Sequence, residues 1–244
     1  MDQLKFFFSD SEINSILDVG TGSGDFIAIL KDVFSKTKIT GVDPDTESLQ
    51  EAIKKYSEVS FKEMSAEHLE FADNSFDLAS ISMALHHLTD IQKALKEMQR
   101  VVKPGGWFIV NELFSNHLNQ AQEVHKMYHH FRSSIDRLTG INHNETFEKE
   151  HILQIIKTAG INVHFHFENK EETNLIASPG ELDVRIEKMK QHLEKIKGRP
   201  EYEIYKPQIE EFRLRALQFG FQTATRIVAV GQKNHELWES PCPG

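Results

Sequence analysis

Apolar residues change their spacing several times along this 244-residue chain, and each change marks an element. Ile13 to Val19 predicts a first strand, and it stops abruptly at a glycine-rich turn. Phe26, Ile29, Leu30 and Val33 then recur at helical spacing between Asp25 and Phe34. Lys38 to Val42 predicts a second strand, closed by Asp43-Pro44, and Leu49, Ala52, Ile53 and Tyr56 mark one face of a second helix. Val59 to Met64 and Phe76 to Ala84 predict strands three and four. Ile91, Ala94, Leu95, Met98 and Val102 outline a further helix, which Lys103-Pro104-Gly105-Gly106 ends before a fifth strand at Trp107 to Glu112.

Beyond Glu112 the pattern loosens. Asn116 to Leu138 is long, polar and rich in histidine, with Leu118, Ala121, Val124, Tyr128 and Phe131 as its apolar side. Ile152, Ile155, Ile156 and Ala159 predict a helix, followed by a strand at Ile161 to Phe167. Between residues 171 and 222 two amphipathic arms face each other across Gly198-Arg199-Pro200. One carries Leu182, Ile186, Met189, Leu193 and Ile196, the other Tyr205, Ile209, Phe212, Ala216 and Phe219. Their seven-residue spacing predicts that they pack together. Thr223 to Val230 returns to strand.

Strands alternating with helices of this length predict an α/β fold. It is a doubly wound, mostly parallel seven-stranded sheet with helices on both faces and helical lid insertions. The expected division is a ligand-binding half at 1–113, a helical insertion at 114–146, and a core helix and strand at 147–170. A hairpin lid at 171–222, a last core strand at 223–233 and a tail at 234–244 complete it.

Composition narrows the function. An apolar share of 39% supplies a full core without metal or disulfide staples, and a formal charge of −9 argues against a nucleic-acid partner. The single cysteine, Cys242, cannot close an internal disulfide, which suits a cytoplasmic location. No apolar stretch is long enough to span a bilayer, and Phe6-Phe7-Phe8 is too short for a signal peptide. A monomer or homodimer is expected, with no membrane partner.

The chemistry concentrates at Asp18-Val19-Gly20-Thr21-Gly22-Ser23-Gly24, where a strand hands over to a helix. Glycines there let a ligand approach the backbone, and free N–H groups at the helix start can hold an anion. A dinucleotide fingerprint would need its third glycine at Asp25, so a nicotinamide-dependent oxidoreductase is disfavoured. Asp18 would repel a pyrophosphate and attract an ammonium or sulfonium. Asp43, at the end of the second strand, is placed to accept hydrogen bonds from ribose hydroxyls, or to cap the helix that follows. A ribose and a zwitterionic end together point to S-adenosyl-L-methionine.

With Ile16-Leu17-Asp18-Val19-Gly20-Thr21-Gly22-Ser23-Gly24, Gly41-Val42-Asp43, Phe76-Asp77-Leu78-Ala79, Ala84-Leu85-His86-His87-Leu88 and Val101-Val102-Lys103-Pro104-Gly105-Gly106, the chain resembles the class I S-adenosylmethionine-dependent methyltransferases from about Ile13 to Glu112. The resemblance implies that Asp18 holds the methionine amino group, while Gly20, Thr21, Gly22 and Gly24 line the methionine and ribose. Asp43, with Pro44 beside it, would bind the ribose hydroxyls. It implies an adenine contact among Ser65, Ala66 and Glu67, although many relatives carry an acidic residue at the position of Ser65. Ser82 would lie near the sulfonium.

Methyl transfer asks the protein mainly to align a nucleophile, with a base only where the acceptor must lose a proton. His87 and Glu112, both at strand-end rims, are the candidate catalytic groups; the plainer alternatives are a helix cap and a solvated strand terminus. His125 and His129 are one helical turn apart, with His117, His130 and His143 nearby, but no H-E-x-x-H arrangement accompanies them, and the expectation is a solvent-facing set without metal. The fourth-strand end reads Ser82-Met83-Ala84-Leu85, lacking the Asn/Asp-Pro-Pro-Tyr/Phe motif of amide and nucleobase methyltransferases. A small-molecule acceptor is therefore expected; Met127, Tyr128, Phe131, Met189, Tyr202 and Phe212 could line its pocket, the plainer reading of each being packing among the lid helices. The alternatives are a non-catalytic cofactor-binding module and a protein or nucleic-acid methyltransferase.

Overall fold

The computed structural model describes residues 1–176 and 179–233; Cys242 and the tail lie outside them. Seven strands form one sheet: β1 (Ser15–Val19), β2 (Lys38–Asp43), β3 (Ser60–Glu63), β4 (Phe76–Ser82), β5 (Val102–Leu113), β6 (Asn162–Asn169) and β7 (Arg226–Gln232). Their order is β3-β2-β1-β4-β5-β7-β6. β7 runs antiparallel to both of its neighbours, and the remaining pairs are parallel. The chain therefore starts mid-sheet, winds outward to β3 and returns to β4. The reversal between β1 and β4 opens a crevice at the carboxyl ends of those strands.

Alternation along the strands feeds two apolar layers. Leu17 and Val19 of β1, Ala79 and Ile81 of β4, and Phe108 and Val110 of β5 share one layer with α4 (Ile91–Val101) and α6 (Lys149–Thr158). Ile16, Leu78 and Ile109 point the other way, onto α2 (Asp25–Val33), and α3 (Thr46–Lys55) packs beside β2 and β3. A short helix that the sequence pattern did not predict, α1 (Asp2–Phe7), joins this second layer: Leu4 is buried, and the Phe7 ring lies 5.2 Å from Trp107 and 4.7 Å from Phe165. Lys103 to Gly106 do stop α4, at Val101. They then loop out of the β4–β5 ladder, which pairs Phe76 with Val102 and resumes at Leu78 with Trp107.

The two insertions make one unit rather than two. The histidine-bearing segment folds as α5 (Gln120–Leu138), and the hairpin as α7 (Pro179–Glu194) and α8 (Glu201–Phe219). Val124, Phe131 and Ile135 of α5 pack with Leu182, Ile186, Met189 and Leu193 of α7 and with Phe212 and Ala216 of α8 in a third apolar cluster. Gln122 stitches this cluster to the sheet, its Nε2 donating to Thr225 Oγ1 at 2.9 Å.

Candidate functional site

Gly20, Gly22 and Gly24 all adopt positive φ, so the chain turns sharply between β1 and α2. A Cβ at Gly20 would lie 2.6 Å from Ala84 Cβ, so both the backbone and the packing exclude a side chain there. At Gly22 a Cβ would meet nothing within 4 Å, which leaves backbone conformation as the only demand. Asp43 holds this turn in place: its Oδ2 accepts from Gly22 N at 2.8 Å and its Oδ1 from Asp45 N at 2.9 Å. The cap of α3 is Asp45, whose side chain accepts from Glu47 N. The capping alternative for Asp43 is thereby removed, and each of its oxygens keeps a lone pair for a further donor.

Asp18 lies one layer below the turn, 1% exposed. Its Oδ1 accepts from Ser80 Oγ at 2.7 Å, while Oδ2 is buried with no partner. Burial pushes its carboxyl up to about 6 against the pull of the Ser80 and Thr21 hydroxyls. A buried carboxylate oxygen left unpaired is costly unless a donor arrives, and a cationic amino group is the donor such an atom attracts.

Above the turn a continuous cavity of about 900 Å³ crosses the crevice. Gly20, Thr21, Gly22, Asp43, Pro44, Ser65, Ala66, Glu67, Ser82 and His87 all line it, so the predicted residues converge from five separate stretches of chain. Three predicted residues are outside the lining: Asp18 beneath it, Gly24 at the N-cap of α2, and Glu112. Ser65 hydrogen-bonds Glu67, which also accepts from Thr89 N at 3.1 Å. Burial opposes ionisation of Glu67, but these bonds outweigh it and hold its carboxyl below the ordinary value. Glu67 thus ties the loop after β3 to the rim after β4, and Ala66 beside it is a buried apolar surface suited to a flat base.

Glu112 is neither solvated nor open to the cavity. It is 1% exposed, its Oε2 accepts from Leu85 N at 3.0 Å, and its Oε1 stands 2.9 Å from His86 Nδ1. Strand alternation turns its neighbour to the opposite face, and Asn111 lines the cavity instead. Asn111 Nδ2 donates to Ser82 Oγ at 2.8 Å, and its Oδ1 is buried without a partner. Sequence reasoning passed over Asn111 for the charged residue beside it; strand parity counted back from Ile109 was the available signal. Met83, also in the lining, takes φ +55, a strained conformation for a side chain of that size, and donates its N–H to Asn111 O at 2.8 Å. His87 is exposed and faces the cavity, with Asn142 Nδ2 donating to its carbonyl at 2.8 Å. Loss of water, then repulsion from His86 and His143, lowers its pKa below the ordinary imidazole value.

Two further expectations change. Phe131, Met189 and Phe212 fill the three-helix core, and Met127, Tyr128 and Tyr202 pack against it; none of the six lines the cavity, because α5, α7 and α8 spend their apolar faces on one another. The histidines are not a solvent-facing row. His125 packs against Phe221, with ring centroids 5.3 Å apart, while His129 turns the other way, toward His86 and His143.

A glycine turn, a strand-end carboxylate and a buried carboxylate with one oxygen bonded to Ser80 thus meet at the switch point of a doubly wound sheet, where ligands of such sheets bind. A family model described as a methyltransferase domain matches residues 17–110. The chain is 30% identical over 174 residues to a demethylmenaquinone methyltransferase of Chlorobaculum parvum, covering 66% of this chain and 71% of that one. Over 125 residues it is 39% identical to the ubiquinone/menaquinone biosynthesis C-methyltransferase UbiE of Rickettsia bellii, covering 47% and 50%. A SAM-dependent methyltransferase from Methanosarcina mazei superposes with a TM-score of 0.61 at 17% identity, over 95% of this chain and 98% of that one, a likeness of fold. The chain belongs to the class I S-adenosylmethionine-dependent methyltransferases, and S-adenosylmethionine is its cofactor.

Proposed function

We propose that the protein methylates a small-molecule acceptor held at the His87 end of the cavity. The carrying observation is the cavity itself. At about 900 Å³ it lies near the upper end of the range for ligand pockets, roughly 300–1,000 Å³, so there is room beside the nucleoside for a compact second ligand. Asp18 would hold the amino group, Asp43 the ribose, and Ala66 with Glu67 the base. When bound, the cofactor supplies an electrophilic methyl group.

The remaining lining belongs to the acceptor: Asn111, His87, Ile141 and Arg226. The Asn111 Oδ1 is a spare acceptor that would orient a hydroxyl or amine of the substrate. His87, pushed down to about 3 by loss of water and by His86 and His143, is a neutral and weakly basic ring at neutral pH, which suits contact with the acceptor better than removal of its proton. Glu112 serves as the support that fixes the loop carrying His87. Ile141 reaches the cavity from the segment after α5, which supports a covering role for 114–146; the hairpin at 171–222 would brace that cover from behind. The relatives named above are by name quinone-pathway methyltransferases, which favours a ring acceptor of the phenol or hydroquinone kind, and the net charge of −9 weighs against nucleic acid.

The test is transfer of label from methyl-labelled S-adenosylmethionine to a panel of phenols, hydroquinones and amines, beside bulk protein and RNA. Label on a member of the small-molecule panel is expected. Label confined to macromolecules, or cofactor binding with no product across the panel, would contradict the proposal.

A further inference from the structure

Three imidazoles from separate parts of the chain meet beside the cavity. His86 comes from the turn after β4, His129 from α5 and His143 from the loop that follows α5. One ring nitrogen from each lies within 4.8 Å of the other two. Ring centroids are 4.9 Å apart for His86 and His129, 4.9 Å for His129 and His143, and 5.6 Å for His86 and His143. Three imidazoles on one tetrahedral ion with metal–nitrogen bonds of about 2.0–2.1 Å place their centroids about 5 Å apart and their ligating nitrogens about 3.3 Å apart. His129 Nε2 and His143 Nε2 are 3.3 Å apart.

The groups behind the rings fit the same chemistry. Glu112 accepts backbone N–H donors on both oxygens, from Leu85 and Leu113, so the proton shared with His86 sits on His86 Nδ1 and Nε2 keeps its lone pair. His143 Nδ1 stands 2.7 Å from Asp136 Oδ2. The other oxygen of Asp136, Oδ1, faces His192 Nε2 at 2.8 Å and Lys195 Nζ at 3.7 Å, so the carboxylate is surrounded by donor groups. An ionised carboxylate only accepts, so His143 Nδ1 carries the proton and Nε2 is the free donor atom. A carboxylate behind a ligating histidine is the usual outer support of metal sites.

We infer that His86, His129 and His143 form a three-histidine site for a borderline divalent cation of the zinc type, with Glu112 and Asp136 as its outer carboxylates. Imidazole is a good ligand for such ions, and three protein ligands leave a fourth position for water or another group. The site would clamp α5 and the loop at 139–146 to the rim of the sheet. That loop already donates Asn144 N to His86 O at 2.7 Å and sends Ile141 into the cavity. His87 lies against both His86 and His143, with tilted rings and centroids 4.3 and 4.4 Å away, so the ion would lie one side chain from the acceptor. A plain hydrogen bond from His129 to His143 is the alternative account of their contact.

The test uses full-length protein without a histidine tag, freed of metal by a chelator and titrated with Co²⁺ and then Zn²⁺. One equivalent of Co²⁺ per chain, with visible absorption of tetrahedral intensity that Zn²⁺ abolishes, is expected. His129→Gln and His143→Gln should each weaken binding at least about 100-fold, and Asp136→Asn about 10- to 100-fold. His164→Gln, on the exposed edge strand, should bind as the parent does. Circular dichroism checks the fold of each variant, and the parent titration with Asp136→Asn decides the matter even if a histidine variant unfolds. Failure of the parent to bind either ion at micromolar concentration would overturn the inference, as would parental binding by folded His129→Gln and His143→Gln. Because binding is measured without cofactor or acceptor, the outcome is independent of the proposed methylation.

Discussion

At the residue scale, Asp18 carries opposite consequences for stability and binding. Its folded-state pKa of about 6 exceeds the ordinary 3.8, so the folded protein binds the proton more tightly than the unfolded chain. Its contribution to stability is therefore intact below about pH 4, falls as pH rises toward 6, and stays lost above that. That difference corresponds to about 3 kcal/mol. Asp18→Asn, which keeps an acceptor for Ser80, should thus unfold at an equal or higher temperature than the parent at pH 7.5 while binding S-adenosylmethionine at least about tenfold more weakly. The parent's affinity should itself fall as pH drops from 7 to 5, and the variant's should not. A variant that is less stable yet binds normally would show that Asp18 is only a packing group. The two glycines offer a cleaner contrast. Gly22→Ala should cost about 1–2 kcal/mol from its positive φ alone, whereas Gly20→Ala adds the collision with Ala84 and should cost more, which chemical denaturation can read.

At the element scale, local chemistry and global position separate. Strand order and helix faces through Glu112 were legible because apolar period, glycine turn and strand-end carboxylates all agree there. The cavity lining followed from the same agreement. Less legible was which of two adjacent residues faces the cavity: Asn111 and Glu112 differ by one step of a strand, so the parity signal from Ile109 is lost to any one-residue slip. Helix α1 escaped because six residues make too short a window for periodicity, and its burial depends on Trp107 and Phe165 far along the chain. The role of Glu112 is likewise a tertiary fact. It joins β5 to the turn carrying His86, and Glu112→Ala, which leaves Leu85 N and His86 without their acceptor, should destabilise the protein by about 3 kcal/mol or more. A loss under about 1 kcal/mol, measured by denaturant titration, would mean that the pair is not formed.

At the scale of the whole molecule, a sheet with the cavity at its carboxyl edge carries a helical unit with its own core. The family model covers 17–110 and leaves that unit outside, and the convergence of its three helices could not be read from seven-residue spacing, which fits a hairpin, a dimer seam or a third partner equally well. Phe212 sits fully buried at its centre. Phe212→Ala should cost about 3–5 kcal/mol within that unit and lower turnover, while cofactor affinity stays nearly unchanged. Equal losses in both would show that the two parts fold and work as one.

The central claim is that the carboxylates of Asp18 and Asp43 select this cofactor. Calorimetric titration of S-adenosylmethionine into the parent and into the Asp18→Asn, Asp43→Asn double variant tests it most directly. The parent should bind one equivalent, and the double variant, its glycine turn still supported by an acceptor at residue 43, should bind at least about 100-fold more weakly. Matching affinities in a folded double variant would contradict the account.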